Sequence, residues 1–246
     1  MQELGITHFF NAVFGPFFAW MMQLVGVQPI HSNAPINDTF ALEMLVGLGL
    51  IAFFILVRVT LSVEHPNPAQ QLAEIIHEGV GDLADQVIGH GYERFQAFVT
   101  CVGLFVLLNN LVGMFLGLIP GVVTPTSEPV VPLGIAVLTF LYYNYHGVRV
   151  NGPRYIKQFL GPLPWLAPLM VLIEIVSHLA RMLSLTVRLY ANMFASDLLV
   201  LVWFSIIPFA VPAVFLGLHF AVSVIQAFVF MLLAMIYLSM AVAHEH

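Results

Sequence analysis

No glycine or proline interrupts the chain between Met170 and Ile207, and after a turn at Pro208–Pro212 a second helical run continues to about Ala243 with only Gly217 inside it. Glycine and proline are the residues that end helices, so two such runs joined by a short turn predict a helical hairpin. At 1.5 Å per residue the first arm would reach roughly 55 Å and the second about 45 Å, against a bilayer hydrocarbon core of about 30 Å. Neither arm fits upright, so both must bend or incline well beyond the usual ~20°. A bilayer is the right medium to measure them against: 60% of the 246 residues are hydrophobic and only 8% are charged, whereas a soluble domain carries about 25% charged residues. That balance excludes a water-soluble globule, a disordered chain and a nucleic-acid binder, which would need basic surface to neutralise phosphates. A single cysteine, Cys101, rules out an internal disulfide and a thiolate metal site.

Three further apolar stretches are long enough to cross a bilayer, at about residues 39–60, 96–118 and 131–145. The first is uncharged between Glu43 and Arg58. Between the first two lies a charged segment opened by Pro66 and Pro68, in which Leu72, Ile75, Ile76, Leu83 and Val87 recur at helical spacing while Glu74, Glu78 and Asp82 take another face. Its acidic character disfavours anionic headgroups, so this surface helix, about 66–94, is expected to pack on protein. The apolar stretch Phe9–Val27 is not read as a signal peptide, because no Lys or Arg precedes it and Asn11, Gly15 and Pro16 interrupt it; it is expected at the interface or against the bundle. The predicted fold is therefore an all-α integral membrane protein with about five membrane-crossing helices and one amphipathic surface helix. Residues 1–38 form an outside segment, and 39–246 form one membrane domain ending in a tilted hairpin at about 168–207 and 212–243. Basic residues set the orientation. Arg58 and Arg94 flank the first loop and Arg149, Arg154 and Lys157 follow the third span, whereas the tail before Thr39 and the segment Ile119–Pro132 have none. The N-terminus is thus expected outside, with both basic loops, the surface helix and the C-terminus in the cytoplasm.

The two remaining basic residues, Arg181 and Arg188, lie inside apolar sequence. At ~100° per residue, Glu174, His178, Arg181, Arg188 and Asn192 fall within about 40° of one line along the first arm, and Asp197 falls nearly opposite. On the second arm His219, Ser223, Gln226 and Tyr237 make a polar stripe among Phe, Val and Leu. Taken singly, Ser223, Gln226, Tyr237 or a buried histidine can be explained as hydrogen bonding within a helix bundle. Arg188 cannot. An arginine at the bilayer centre costs about 2.5–3.5 kcal/mol even on the lenient insertion scale, and with a pKa above ~12 it cannot shed its charge. A permanent cation there needs a carboxylate or water opposite it, intramembrane acids such as Glu174 and Asp197 are the groups a proton relay uses, and histidine titrates near neutral pH. Together these residues point to ion movement across the membrane.

The stretch Ser184-Leu-Thr-Val-Arg188-Leu-Tyr-Ala-Asn192-Met followed by Ala195-Ser-Asp197 resembles the signature of subunit a of the F-type ATP synthase, in which an Arg-Leu-Phe-(Gly or Ala)-Asn-Met run precedes an acidic residue. The similarity continues through His219, Gln226-Ala-Phe228 and Tyr237-Leu-Ser-Met240, and upstream through Leu61-Ser-Val-Glu64, Asn110-Leu-Val-Gly113, Leu118-Ile-Pro120 and Thr124-Pro-Thr126. Tyr190 stands where Phe is usual, Asp197 is one methylene shorter than the commoner Glu, and Met182 replaces a frequent Pro.

The resemblance implies the stator half of a rotary motor in the bacterial plasma (inner) membrane. It would work against a ring of c-subunit proteolipids, each with one intramembrane carboxylate, alongside the b subunit stator stalk and the remaining synthase subunits. Protons would enter by one aqueous half-channel, ride the ring and leave by another. Arg188 would stand between the two, favouring the ionised carboxylate and blocking a short circuit. Asp197, His219 and Gln226, with Ser223, would line one path. Glu174 and His178 would serve the other, and Asn192 would support the arginine. Arg181 is read as an interface or pairing residue, with Glu174 or His178 as its partner. Leu185, Leu189 and Asn192 are expected to face the ring. No cofactor or metal is expected, and no Walker-type loop marks a nucleotide site in this chain. A self-contained secondary ion transporter or channel is the alternative, but it would be expected to show inverted repeats and broken midplane helices. An intramembrane metalloprotease, prompted by His77-Glu78, fails because Gly81 occupies the position of the second histidine.

Overall fold

A computed structural model describes residues 5–24, 35–116, 124–152, 167–206 and 210–242, and every described element is helical. In chain order these are α1 (Gly5–Leu24), α2 (Asp38–Val59), α3 (Pro68–Ile88), α4 (Glu93–Leu116), a 3-10 turn (Pro125–Ser127), α5 (Val130–Asn151), α6 (Ala167–Ile206) and α7 (Ala210–Val242). The helix bounds follow local chemistry. Asn37 caps α2 by accepting from the Phe40 amide at 2.9 Å, with Asp38 in the first turn and Arg58 in the last to match the helix dipole. Pro68 opens α3, and Gly89 at φ 78° closes it in a conformation that residues with a Cβ rarely adopt. The surface helix is thus shorter than the 66–94 stretch expected from sequence: Gly89 ends it, Gly91 at φ 90° turns the chain, and α4 begins at Glu93.

Four of these helices, α2, α4, α6 and α7, are long and apolar enough to cross a membrane. The third expected span is also a helix, α5, of 22 residues. Its Tyr142–His146 stretch makes it less apolar than the other four, in keeping with its packing between α6 and α7. α6 is 40 residues long and α7 is 33, about 60 Å and 50 Å of helix. The turn between them, the loop carrying Arg154 and Lys157, and the acidic tail lie outside the described residues.

Two apolar clusters hold the bundle. One joins Val102 and Val106 of α4, Ile135 of α5, Leu185, Leu189 and Met193 of α6, and Phe230 of α7. The other joins Val80 and Ala84 of α3 to Val99, Tyr143, Met235 and Leu238, so the acidic surface helix does pack on protein. α1 is tied to the start of α2 by Thr7 donating to Asp38 and by a reciprocal pair between the Asn11 amide and the Ile36 backbone, both 3.0 Å. Only 17% of the most apolar window of α6 is buried within the chain. Most of that helix therefore faces lipid or partner protein.

Candidate functional site

The polar side chains separate into two groups along α6 with Arg188 between them. The group nearer its C-terminal end centres on Asp197, one of whose oxygens, Oδ1, accepts from the Thr124 hydroxyl at 2.9 Å and lies 3.6 Å from His219 Nδ1 on α7. Thr124 stands at the head of the 3-10 turn, where Ser127 donates back to its carbonyl at 2.7 Å and Pro125 occupies the first turn position. The same turn carries Thr126, which donates to Asn110 Oδ1 of α4 at 2.7 Å, and Asn110 in turn donates to the Ser223 carbonyl of α7 at 3.4 Å. Four elements thus meet around one carboxylate. His219 and Ser223 are 2% and 0% exposed. Two polar atoms in this group, Asp197 Oδ2 and His219 Nε2, are buried with no hydrogen-bond partner among the described residues. Unpaired buried polar atoms are costly and call for an explanation.

The second group lies nearer the start of α6. His178, buried, has Nε2 3.3 Å from Glu174 Oε1 one turn back, and its Nδ1 is hydrogen-bonded to the Tyr143 hydroxyl of α5 at 2.8 Å. The Arg181 guanidinium lies 5.5 Å from the centroid of the Tyr237 ring. The ion pair expected between Arg181 and Glu174 or His178 is not formed among the described residues. Instead Glu174 turns to His178, its neighbour at helical spacing, and Arg181 lies over an aromatic face, which attracts a guanidinium electrostatically.

Arg188 stands apart from both groups. Its Nη2 donates to Ser184 Oγ at 3.3 Å, and no carboxylate pairs with it among the described residues. Asn192 makes no hydrogen bond to it, so Ser184 supplies the contact that sequence reasoning had assigned to Asn192. Leu185 and Leu189, expected to face outward, are 3% and 1% exposed and pack inside the bundle. The outward arc of α6 beside Arg188 consists of Leu183, Ser184, Val187, Ala191 and Ala195. The bundle takes the sector about 100° around from Arg188, which carries Leu185, Leu189 and Met193, and leaves the arginine at its edge. Gln226, half-buried on α7, lies two turns beyond His219 and is not hydrogen-bonded to the Asp197 group among the described residues.

Sequence reasoning had given no role to Thr124, Asn110 or Tyr143. A Thr-Pro-Thr-Ser run between two spans and paired amides at Asn109-Asn110 inside one were the available signals, since side chains of this kind are costly in a bilayer unless they have partners. A groove of about 890 Å³ opens elsewhere, between α2, α4 and α5, with Phe54, Phe105 and Leu138 among its apolar lining, and it takes no part in either polar group.

Comparison with known proteins shows the family. The chain matches the family described as ATP synthase A chain over residues 40–239. It is 45% identical over 246 residues to "ATP synthase subunit a" of Koribacter versatilis, covering 100% of this chain and 99% of that one. It is 42% identical over 224 residues to the protein of the same name from Solibacter usitatus (91% of this chain, 94% of that one), and 38% identical over 220 residues to that of Geobacter sp. strain M21 (89% and 94%).

Proposed function

The chain belongs to the ATP synthase A chain family, and from that premise we propose that Arg188 is the charge barrier between two half-channels built from the two polar groups on α6. As a member of that family it is subunit a of the membrane sector, Fo, with a proton-channel role in the synthase complex. The outer half-channel is formed by Asp197, His219, Thr124 and the Asn110–Ser223 link, with Gln226 further along α7. The inner one is formed by Glu174, His178 and Tyr143. The N-terminus lies outside and the C-terminus lies in the cytoplasm of a bacterial plasma membrane, a reading supported by the basic residues that flank α3, Arg58 at the end of α2 and Arg94 at the start of α4, and by Arg149, Arg154 and Lys157 at and after the end of α5.

The observation that carries this reading is the state of Arg188. A permanent cation midway along an apolar helix, at the edge of the packed face and hydrogen-bonded among the described residues only to a serine hydroxyl, calls for an anion from another chain. A ring of c subunits, each with one intramembrane carboxylate, supplies it, and the small outward residues Ser184, Ala191 and Ala195 let such a helix approach closely. Proton transfer is then directional. A carboxylate reaching Arg188 is held ionised and releases its proton to one path, and on moving past it regains a proton from the other.

The test is purification and flux together. The chain should co-purify with a ring of small proteolipids and the b subunit. Asp197→Asn and His219→Leu should slow proton flux in vesicles while leaving that complex intact. Wild-type flux in both variants would show that the Asp197 group is not a proton path.

A further inference from the structure

We infer that Thr124 is a positioning residue for proton transfer at Asp197: it fixes Oδ1, so that Oδ2 is the oxygen that carries the proton, and Gly113 is what allows Thr124 to stand there. The inference rests on the reading of Asp197 as a proton-path residue and goes beyond it to the atom.

Three observations converge on this arrangement. The Thr124 hydroxyl donates to Asp197 Oδ1 at 2.9 Å, the same oxygen that faces His219 Nδ1 at 3.6 Å. Both neighbours therefore face one oxygen, and Thr124 is hydrogen-bonded to it. The other oxygen, Oδ2, is buried and unpaired among the described residues, as is His219 Nε2 on the far side of a ring that is 2% exposed. A carboxylate whose Oδ1 already accepts a hydrogen bond takes an added proton at its free oxygen. Fixing the group in one rotamer also keeps that oxygen aimed, and relays lose rate steeply when a transferring atom is misplaced.

The third observation is how closely Thr124 is seated. A methyl group at Gly113 of α4 would overlap the Thr124 side chain, 2.6 Å from its Cβ and 2.7 Å from its hydroxyl. Real Cβ atoms do not approach neighbours so closely, so any other residue at 113 must push Thr124 away from α4 and out of its present seat. Asp197 is one methylene shorter than glutamate and cannot reach outward to find a donor. The donor is brought to it, through a close approach of the 3-10 turn to α4 that only glycine permits. Ser127 and Thr126 hold the turn in place from either side, one to the Thr124 carbonyl and one to Asn110.

The experiment uses the assembled synthase in inverted vesicles, with ring co-purification as the measure of assembly and proton flux as the readout. Thr124→Val keeps the shape and removes only the hydroxyl. A hydrogen bond to an ionised group corresponds to a factor of about ten or more, so flux should fall about tenfold. Thr124→Ser keeps the hydroxyl and should restore flux to within about twofold of wild type, which a purely structural role for the threonine methyl would not do. Gly113→Ala should reproduce the Thr124→Val loss with the ring still bound. Wild-type flux in Thr124→Val, or failure of Thr124→Ser to restore it, overturns the positioning role. Asp197→Asn separates the two claims: if it is slow while Thr124→Val is wild type, only the positioning role falls, and if it too is wild type, the proton-path reading falls with it.

Discussion

Removing the charge at Arg188 should abolish coupled pumping, and the size of the effect can be worked from what surrounds the residue. The acids on its own helix are Asp197, nine residues on and on the opposite side, and Glu174, fourteen residues back. These separations are about 13 Å and 21 Å along the axis. At an effective dielectric of about 20 they attract the guanidinium by only about 1.2 and 0.8 kcal/mol. A ring carboxylate in contact at about 4 Å would be favoured in its ionised form by about 4 kcal/mol on the same scale. Nearly all of the arginine's field is therefore available to the incoming group, and about 4 kcal/mol corresponds to a factor of roughly a thousand in the ionised population. Arg188→Ala should accordingly leave no detectable ATP-driven acidification of inverted vesicles, read with a fluorescent pH probe. Arg188→Lys should assemble but pump poorly, because an ammonium can lose its proton in a dry site and lacks the planar fork. If Arg188→Ala pumped within tenfold of wild type while the ring remained bound, the charge-barrier argument would be wrong.

Two further outcomes follow from the faces of α6. Single cysteines at Ser184, Val187 or Ala191 should cross-link to the c subunit near its carboxylate, whereas a cysteine at Leu189 and the native Cys101 should not; cross-linking confined to Leu189 would mean the helix is rotated from the orientation described here. Arg181→Lys should keep near-wild-type flux, since an ammonium can also sit over the Tyr237 ring, while Tyr237→Leu should lower the thermal stability of the detergent-solubilised complex by about 0.5–2 kcal/mol, and equal stability of Tyr237→Leu and wild type would dismiss the contact.

The architecture was largely legible in the sequence because a bilayer leaves few choices: backbone groups must be satisfied within each segment, so long apolar runs become helices whatever their partners. The hairpin, the surface helix and the separation of Arg188 from Asp197 all follow from period and length. What the sequence did not reveal is which side of α6 the bundle takes. Arg188, Asn192 and Glu174 lie on one line, but the buried sector is set by Leu185, Leu189 and Met193, which look the same in sequence as the exposed Leu183, Val187 and Phe194. In water polarity would separate the two sets; in lipid both are apolar, and only packing distinguishes them. The Thr124–Asp197 contact was hidden for another reason: the residues are 73 apart in the chain, and Gly113, which allows it, lies on a third element.

That buried sector also bears on how a short circuit is avoided. His178 and Asp197 are separated by about 28 Å of helix, and the bundle side of that interval is filled by Leu185, Leu189 and Met193 packed against Val106, Ile135 and Phe230, with Leu189 and Met193 1% and 0% exposed. A charge at Arg188 repels a proton only where the proton has water to travel in, so the apolar plug must exclude water while the arginine guards the open side. The two can be separated at Leu189. Leu189→Ala should cost about 2–5 kcal/mol of stability through the cavity it leaves, yet an apolar cavity of that size stays dry, so passive proton leak should not rise. Leu189→Asn keeps the branched shape and the number of heavy atoms but places an amide in the plug, where it is satisfied only by drawing in water, so leak should increase with ATP hydrolysis blocked and the ring still bound. Leak measured by decay of an imposed pH gradient gives the answer. If both variants leaked alike, any loosening of the packing would suffice and dryness would not be the seal; if neither did, Arg188 alone would be the barrier.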